Sequence, residues 1–225
     1  GANETDAAAA AEGTGCILMC GHLGSWEFLV QYCGREWNGA GIYKPLSNRF
    51  IDRWYKKIRE SSGIELYTMD ETSKSLRWLR KGGFLGMVTD QNARKAGIFV
   101  NFMNRPASTF LGPAVLADLG NAHILFYSAV HLPGGRIRFN IQDIGRVDKS
   151  QFPDRDTALH HITQKWVNAL ERDIRDYPEQ YFWLHRRWRT QPKDVLDDPR
   201  STAAQSLERA GLADFAKKQA EEANG

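Results

Sequence analysis

Residues 16–27, CILMCGHLGSWE, join a short apolar run to a turn that contains two glycines. The apolar run favours a buried strand, and apolar residues recur at helical spacing from Trp26 onward. In α/β proteins, the groups that handle ligands lie beyond the carboxyl ends of strands. His22 and Glu27 occupy this position, so they are the first candidates for a functional site.

His22 and Glu27 can act as a base and its orienting carboxylate only if the chain bends between them. On one continuous helix, five positions would place them roughly 140° apart. Gly21 and Gly24 give the backbone the freedom for such a bend. A carboxylate on one imidazole nitrogen fixes the tautomer and leaves the other nitrogen as a general base. The spacing alone favours the alternative, a loop histidine and an unrelated helix glutamate.

Strand-like and helix-like patterns alternate along the rest of the chain. Strand patterns fall at 41–43, 64–67, 84–89, 123–131 and 136–142. Helical patterns fall at 49–60, 72–81 and 154–177, and a further helix is predicted to begin at Ser108 or Thr109 and to run through Leu119. This alternation predicts an α/β fold, a mixed β-sheet flanked by helices.

The chain divides into three predicted parts. Residues 1–14 are Ala-rich and polar and are predicted to be a linker or a disordered N-terminus. Residues 15–192 form the predicted domain, and residues 193–225 form a C-terminal helical tail. With 225 residues, 42% of them hydrophobic, the chain is long enough to bury a core without disulfides or metals.

Composition excludes several classes of protein. A net charge of +3 creates no global field that points to nucleic acid. No run reaches the about 18 apolar residues of a spanning helix, and the N-terminus lacks the pattern of a signal peptide. A soluble or peripheral protein in a reducing compartment is therefore expected. The odd count of three cysteines argues against a disulfide framework, and Cys16 and Cys20 are expected in the core. No metal is expected, because Cys20 and His22 have no second pair at zinc spacing.

Basic residues cluster at 44–59 and at 186–193. In the stretch 49–60, RFIDRWYKKIRE, apolar residues take one face of a helix and cations take the other. This apolar face either packs on the sheet or docks on a membrane, with Lys56 and Lys57 near anionic headgroups. The sequence leaves both alternatives open. The cations themselves are either solvated or in contact with phosphate.

The motif GHLGSWE resembles the H-x4-(D/E) signature of the glycerolipid acyltransferases, and in particular the branch that adds lauroyl or myristoyl chains in lipid A biosynthesis. In that branch a Trp precedes the Glu. Three further stretches resemble the family in the same order, namely YKPLSNRFIDRWYKKIRESSG, TDQNARKAGIFVNFMNRPAST and YPEQYFWLHRRWRTQP. The resemblance covers about residues 13–192, and four ordered motifs are more specific than one.

The resemblance implies a glycerolipid-acyltransferase-like fold and assigns roles to single residues. His22 would be the catalytic base and Glu27 its partner. Arg59 matches the arginine of the second stretch and would bind phosphate on the acceptor, because a guanidinium grips phosphate with two parallel hydrogen bonds. Its alternative role is that of a solvated helix cation.

Three more residues are candidates for substrate binding. Asp90 and Gln91 follow a buried strand near the predicted site, and their alternative role is a turn at the end of that strand. Arg105 would contact substrate or cap a turn. The cations of 186–187 would meet headgroups or an acidic carrier protein, or would simply be exposed on a packed C-terminal segment.

The resemblance also implies the reaction and its partners. An acyl carrier protein thioester would be the donor and a Kdo-bearing lipid A precursor in the membrane the acceptor, with no cofactor and no nucleic acid. The protein would work at the cytoplasmic face of the bacterial inner membrane, bound peripherally or through a segment outside this chain, because the family usually begins with a membrane anchor. The alternatives are a different acceptor, such as a phosphatidylinositol mannoside or a phospholipid, and a non-catalytic lipid-binding module of the same fold.

Overall fold

The computed structural model describes residues 14–37 and 39–224, so that nearly all of the predicted N-terminal linker lies outside the described residues. Its main sheet consists of β1 (Cys16–Cys20), β2 (Gly39–Tyr43), β3 (Glu65–Thr68), β4 (Phe84–Val88), β7 (His123–Leu132) and β8 (Arg136–Gly145). The strand order is β3-β2-β4-β1-β7-β8, and all neighbours are parallel except β7 and β8. This mixed sheet with helices around it confirms the predicted α/β fold.

The helices are α1 (Trp26–Glu36), α2 (Arg49–Glu60), α3 (Thr72–Arg80), α4 (Gly112–Gly120), α5 (Arg155–Asp176), α6 (Thr202–Arg209) and α7 (Ala213–Asn224). The longest of them, α5, contributes ten buried residues, and Asp154 caps it by accepting from the N–H of Thr157. Along the described ranges, no helix combines the length and the apolarity that crossing a bilayer requires.

The first strand lies at the centre of the sheet, between β4 and β7. All five of its residues are buried, which confirms that the apolar run before the motif is a core strand. Cys16 and Cys20 are 0% and 1% exposed, as the sequence predicts. The motif therefore begins where the most enclosed strand of the sheet ends.

The helix predicted to begin at Ser108 or Thr109 begins instead at Gly112, so that prediction is wrong. Residues Arg105–Thr109 form strand β6, which pairs with β5 (Ile98–Phe102) in a separate antiparallel hairpin. The apolar strand β5 requires a partner for its backbone, and β6 supplies it through a two-residue turn with left-handed backbone at Met103 and Asn104.

The C-terminal tail packs on this hairpin. Phe99 of β5 is fully buried together with apolar residues of the tail, namely Val195, Ala203, Leu207 and Ala216. The backbone N–H of Phe99 also donates to Ser206 Oγ at 2.7 Å. The predicted boundary between the domain and the tail at 192/193 stays a prediction, but the tail closes one of the hydrophobic clusters.

Helix α2 packs loosely. All twelve of its residues are described, and none of them is buried. Phe50 is 82% exposed and Trp54 is 60% exposed. Of the two alternatives for this apolar face, packing on the sheet is therefore not the one that the structure shows.

Candidate active site

The register of the sheet brings His22 beside Asp90. In the parallel pair of β1 and β4, Cys20 lies opposite Val88. His22 and Asp90 each come two residues later, so they leave the same edge of the sheet side by side. The Nδ1 atom of His22 lies 2.6 Å from Asp90 Oδ1, and the backbone N–H of His22 donates to Asp90 Oδ2 at 2.9 Å.

The carboxylate on Nδ1 of His22 is thus that of Asp90, which corrects the predicted pairing with Glu27. Among the described side chains, no hydrogen bond or ion pair joins Glu27 to His22. Glu27 instead accepts two hydrogen bonds from Arg59 of α2, one of them from Nε at 3.2 Å. The physical reason is that neighbouring strands bring distant residues together more closely than five positions of one chain do across a strand-to-helix turn.

Asp90 is only 2% exposed, yet it is held in its charged form. Burial acts to raise the pKa of this carboxyl, but the hydrogen bonds from His22 and the charges of His22 and Arg187 outweigh it. The pKa of Asp90 therefore lies below its ordinary value. A carboxylate in this state accepts a hydrogen bond from Nδ1–H, which leaves Nε2 of His22 as the basic nitrogen.

Arg187 is a buried cation next to this pair. Its guanidinium is enclosed by the hairpin, where it donates to Ser108 O and Thr109 Oγ1. Burial lowers the pKa of Arg187 to about 10, so it stays charged at neutral pH. Burial contradicts both predictions for Arg187, contact with headgroups or a carrier protein and exposure on a packed segment, whereas Arg186 is exposed.

The backbone of the motif is held on both sides. Ser25 N donates to Ala129 O of β7 at 2.7 Å, and Gly24 N donates to Gln180 O at 3.0 Å. Gly24 has a φ of +57°, and a Cβ there would lie 2.2 Å from Ala129 O, so only glycine fits. Phe182 N donates to His22 O at 3.0 Å, which fixes the histidine backbone directly.

Aromatic rings enclose the imidazole. The ring centroids of Trp26 and Phe182 lie 5.5 Å and 6.1 Å from that of His22. The guanidinium carbon of Arg59 lies 5.6 Å from the ring centroid of the same Trp26. The side chain of His22 remains 25% exposed, so a substrate can reach it.

A cavity of about 440 Å³ lies in front of these residues. Its polar and charged lining comes from His22, Glu27, Lys44, Asp52, Lys56, Arg59 and Gln91. The remainder is mostly apolar and includes Leu18, Val30, Ile42, Ile64, Leu66, Phe84, Met87, Val88 and Tyr127. Gly41 and Gly86, which lie opposite each other in β2 and β4, leave the space that side chains would otherwise fill.

The structure brings most of the predicted site residues together. His22, Glu27, Arg59 and Gln91 line one cavity, and Asp90 lies immediately behind His22. Arg105 is not among the lining residues, because it begins β6 and its guanidinium stacks 5.0 Å from the ring centroid of Trp188. Its contact with substrate stays a prediction.

Two features of the site are missed by sequence analysis. Arg187 influences Asp90 from within the core, although its position in a run of exposed cations gives no sign of burial. Ser25 Oγ lies 2.7 Å from His131 Nε2, a contact over 106 positions that no local pattern indicates. The glycine at position 24 was the available signal that the motif touches another strand closely.

Comparison with known proteins places this geometry in context. Residues 3–190 match the profile of a family described as bacterial lipid A biosynthesis acyltransferase. A lipid A biosynthesis lauroyltransferase of Escherichia coli is 27% identical over 188 residues, which cover 82% of this chain and 60% of the relative. A phosphatidylinositol mannoside acyltransferase of Mycobacterium tuberculosis is 31% identical over 199 residues, which cover 84% of this chain and 58% of the relative. The chain thus spans about 60% of the length of these relatives.

Proposed function

Because the chain belongs to the bacterial lipid A biosynthesis acyltransferase family, we propose that it transfers a fatty acyl chain from an acyl carrier protein thioester to a hydroxyl of a lipid A precursor. One observation carries the proposal. His22 places Nδ1 on the buried, ionised Asp90, and its ring lies at the wall of a largely apolar cavity. A base next to an apolar channel suits a reaction between a hydroxyl and a fatty acyl thioester.

The mechanism follows from the pair. Nε2 of His22 takes the proton of the acceptor hydroxyl while the oxygen attacks the thioester carbonyl. Asp90 stabilises the imidazolium that forms, because its carboxylate is hydrogen-bonded to Nδ1. The C–S bond then breaks, and the imidazolium returns its proton to the leaving thiolate. The substrate hydroxyl is the nucleophile, so the step requires neither a metal nor a covalent acyl-enzyme.

The cavity and its rim suggest where the substrates bind. The apolar part, widened by Gly41 and Gly86, suits the acyl chain. Arg59 donates to Glu27 with Nε and one terminal nitrogen, and a guanidinium has five N–H donors. Donors therefore remain for a phosphate of the acceptor, and Glu27 holds the guanidinium in place. Gln91 is a neutral hydrogen-bonding group that also lines the cavity.

A different acceptor is the second candidate. The relative from M. tuberculosis acts on phosphatidylinositol mannoside, which also joins sugars to a phosphate-bearing lipid. The pair of His22 and Asp90 suits either acceptor, because it handles only the hydroxyl. For either one, we propose peripheral action at the cytoplasmic face of the inner membrane, alone or with a segment outside this chain.

Mass spectrometry of lipids tests the function. The protein is incubated with lauroyl or myristoyl acyl carrier protein and, in parallel, with a Kdo-bearing lipid A precursor, a phosphatidylinositol mannoside and a lysophospholipid. A mass increase of one acyl chain on the lipid A precursor, absent with the His22→Ala variant, is expected. Acylation of only the mannoside would assign the second candidate. No acylated lipid from a folded protein would leave the non-catalytic lipid-binding module as the better description.

A further inference from the structure

Helix α2 carries two separate stripes of side chains. Asp52, Lys56 and Arg59 are half-buried and line the cavity. The large apolar residues of a second stripe, Phe50, Trp54 and Ile58, are 82%, 60% and 41% exposed. At about 100° per residue, these stripes point in clearly different directions. The helix therefore forms a wall of the site with one stripe, and no side chain of residues 14–37 or 39–224 buries its apolar stripe.

Cations border the apolar stripe. Arg53 and Lys57 lie one turn apart beside it, and both are exposed. Between Lys44 and Arg59 the chain has six Lys or Arg residues against one Asp, a net charge of +5, whereas the whole chain has a net charge of +3. An apolar stripe with flanking cations is the composition of a helix that lies in a membrane interface.

A second exposed apolar patch lies next to His22. Phe182, Trp183 and Leu184 are 45%, 47% and 86% exposed, and the exposed cation Arg186 follows them. Phe182 packs beside the imidazole of His22, and Trp26 packs against it from the direction of α2. The catalytic histidine is thus flanked by two exposed apolar patches, each with its own cations.

We propose that the apolar stripe of α2 and residues 182–184 dock together on an anionic lipid surface, with the mouth of the cavity between them. Phe50, Trp54 and Ile58 enter the headgroup–acyl boundary, and Arg53 and Lys57 meet the phosphates. A lipid acceptor then reaches His22 from the bilayer without leaving it. This last step alone rests on the proposed function, because that function makes the acceptor a membrane lipid.

Vesicle sedimentation tests the surface without any reaction. The chain is mixed with vesicles of phosphatidylcholine containing phosphatidylglycerol, or of phosphatidylcholine alone, and neither contains donor or acceptor. Binding to the anionic vesicles that weakens with salt is expected. The double variant Phe50→Glu/Trp54→Glu should lower the partition coefficient at least about tenfold. Arg53→Glu/Lys57→Glu should lower it by a similar factor, because each cation near an anionic surface contributes about fivefold.

Matched controls come from α7, far along the chain. Phe215→Glu changes a 44% exposed aromatic residue, and Lys217→Glu/Lys218→Glu reverses two exposed cations. Both should bind vesicles as the unaltered chain does, and circular dichroism should show that all variants are folded.

The second patch is tested in the same assay by Leu184→Glu. Quenching by brominated lipid provides a further measure, since Trp54→Phe and Trp183→Phe should each remove part of it.

Several results would overturn the proposal. One is that the unaltered chain does not bind anionic vesicles. Another is that the α2 variants and the α7 controls lose vesicle binding equally. Self-association that Phe50→Glu/Trp54→Glu abolishes, without vesicle binding, would assign the stripe to a second copy of the chain. The result of the vesicle assay is independent of the result of the acyl transfer assay that tests the proposed function. Vesicle binding without acyl transfer refutes the function alone, and transfer to detergent-dispersed acceptor without vesicle binding refutes the surface alone.

Discussion

The two carboxylates of the site have different surroundings. Asp90 has a side chain that is 3% exposed and contacts His22 behind the cavity, whereas the side chain of Glu27 is 41% exposed and contacts Arg59 at the rim. Loss of one partner from a buried pair leaves an uncompensated polar group, whereas a partly exposed pair is screened by solvent. We therefore expect the inner pair to determine the chemical step and the outer pair to orient the substrate.

Removal of the base should have the largest effect. The substitution His22→Ala eliminates the group that takes the hydroxyl proton, so kcat/KM should fall by about 10³- to 10⁴-fold, the upper part of what general-base catalysis contributes. Acyl transfer followed by mass spectrometry is the measurement, with circular dichroism as the control for folding. A folded variant that turns over at the unaltered rate would refute the mechanism.

The inner carboxylate should come next. Asp90→Asn keeps the shape but removes the charge that stabilises the imidazolium and fixes Nδ1–H, so kcat should fall by about 10²- to 10³-fold with a smaller change in KM. Nitrogen-15 NMR of labelled histidine should show Nδ1–H as the main neutral tautomer of His22 before the substitution and a mixture after it. If Glu27→Gln had the larger effect on both measurements, the assignment of the two carboxylates would be reversed.

The sequence predicts the site better than it predicts the contacts within it. The strand 16–20, the turn and the helix after it are all in the structure, because local hydrophobic patterns determine them. The sequence also predicts that Asp90 follows a buried strand near the site. Its pairing with His22 depends on β1 and β4 being neighbours in register, which is a property of the strand order and is absent from any local pattern.

The errors elsewhere have the same origin. Ser108 and Thr109 are good residues for a helix start, but the tertiary requirement for a partner strand beside β5 placed them in β6. Arg187 belongs to a run of cations that local composition assigns to the surface. It is buried because it satisfies Ser108 O and Thr109 Oγ1 of that hairpin. The hairpin pairs residues that are 11 positions apart at most, whereas the hydrogen bonds of Arg187 span 78 and 79 positions.

The outer pair should have an intermediate effect that depends on the acceptor. Arg59→Lys keeps the charge but loses the fork geometry, so a charge-assisted contact worth about 1.5–3 kcal/mol is weakened. This corresponds to a loss of about 10–100-fold in kcat/KM with a phosphorylated acceptor and to a much smaller loss with its dephosphorylated form.

The variant Glu27→Gln is the companion test at the rim. It should reduce transfer to the phosphorylated acceptor by up to about fivefold and leave transfer to the dephosphorylated acceptor nearly unchanged, because it only releases the guanidinium. In the double variant the two losses should not add, as expected for residues in contact. Equal losses on both acceptors for Arg59→Lys would mean that Arg59 supports the fold or the donor instead of the phosphate.

The smallest effect should be the difference in acid stability between the two pairs. The pKa of Asp90 is below its ordinary value in the folded protein, so this group stabilises the fold above the unfolded value of about 3.9 and loses that contribution as the pH falls through the folded value.

Asp90→Asn should therefore lower the free energy of unfolding by about 1–3 kcal/mol at pH 7. The difference from the unaltered protein should shrink as the pH falls below about 4. Denaturant unfolding between pH 3 and pH 7 measures this, with Glu27→Gln as the matched variant, whose cost should stay under about 1 kcal/mol because its partner is partly exposed. A difference for Asp90→Asn that grows as the pH falls below about 4 would mean that the carboxyl is protonated in the folded protein. It would then be a hydrogen-bond donor that could not stabilise an imidazolium.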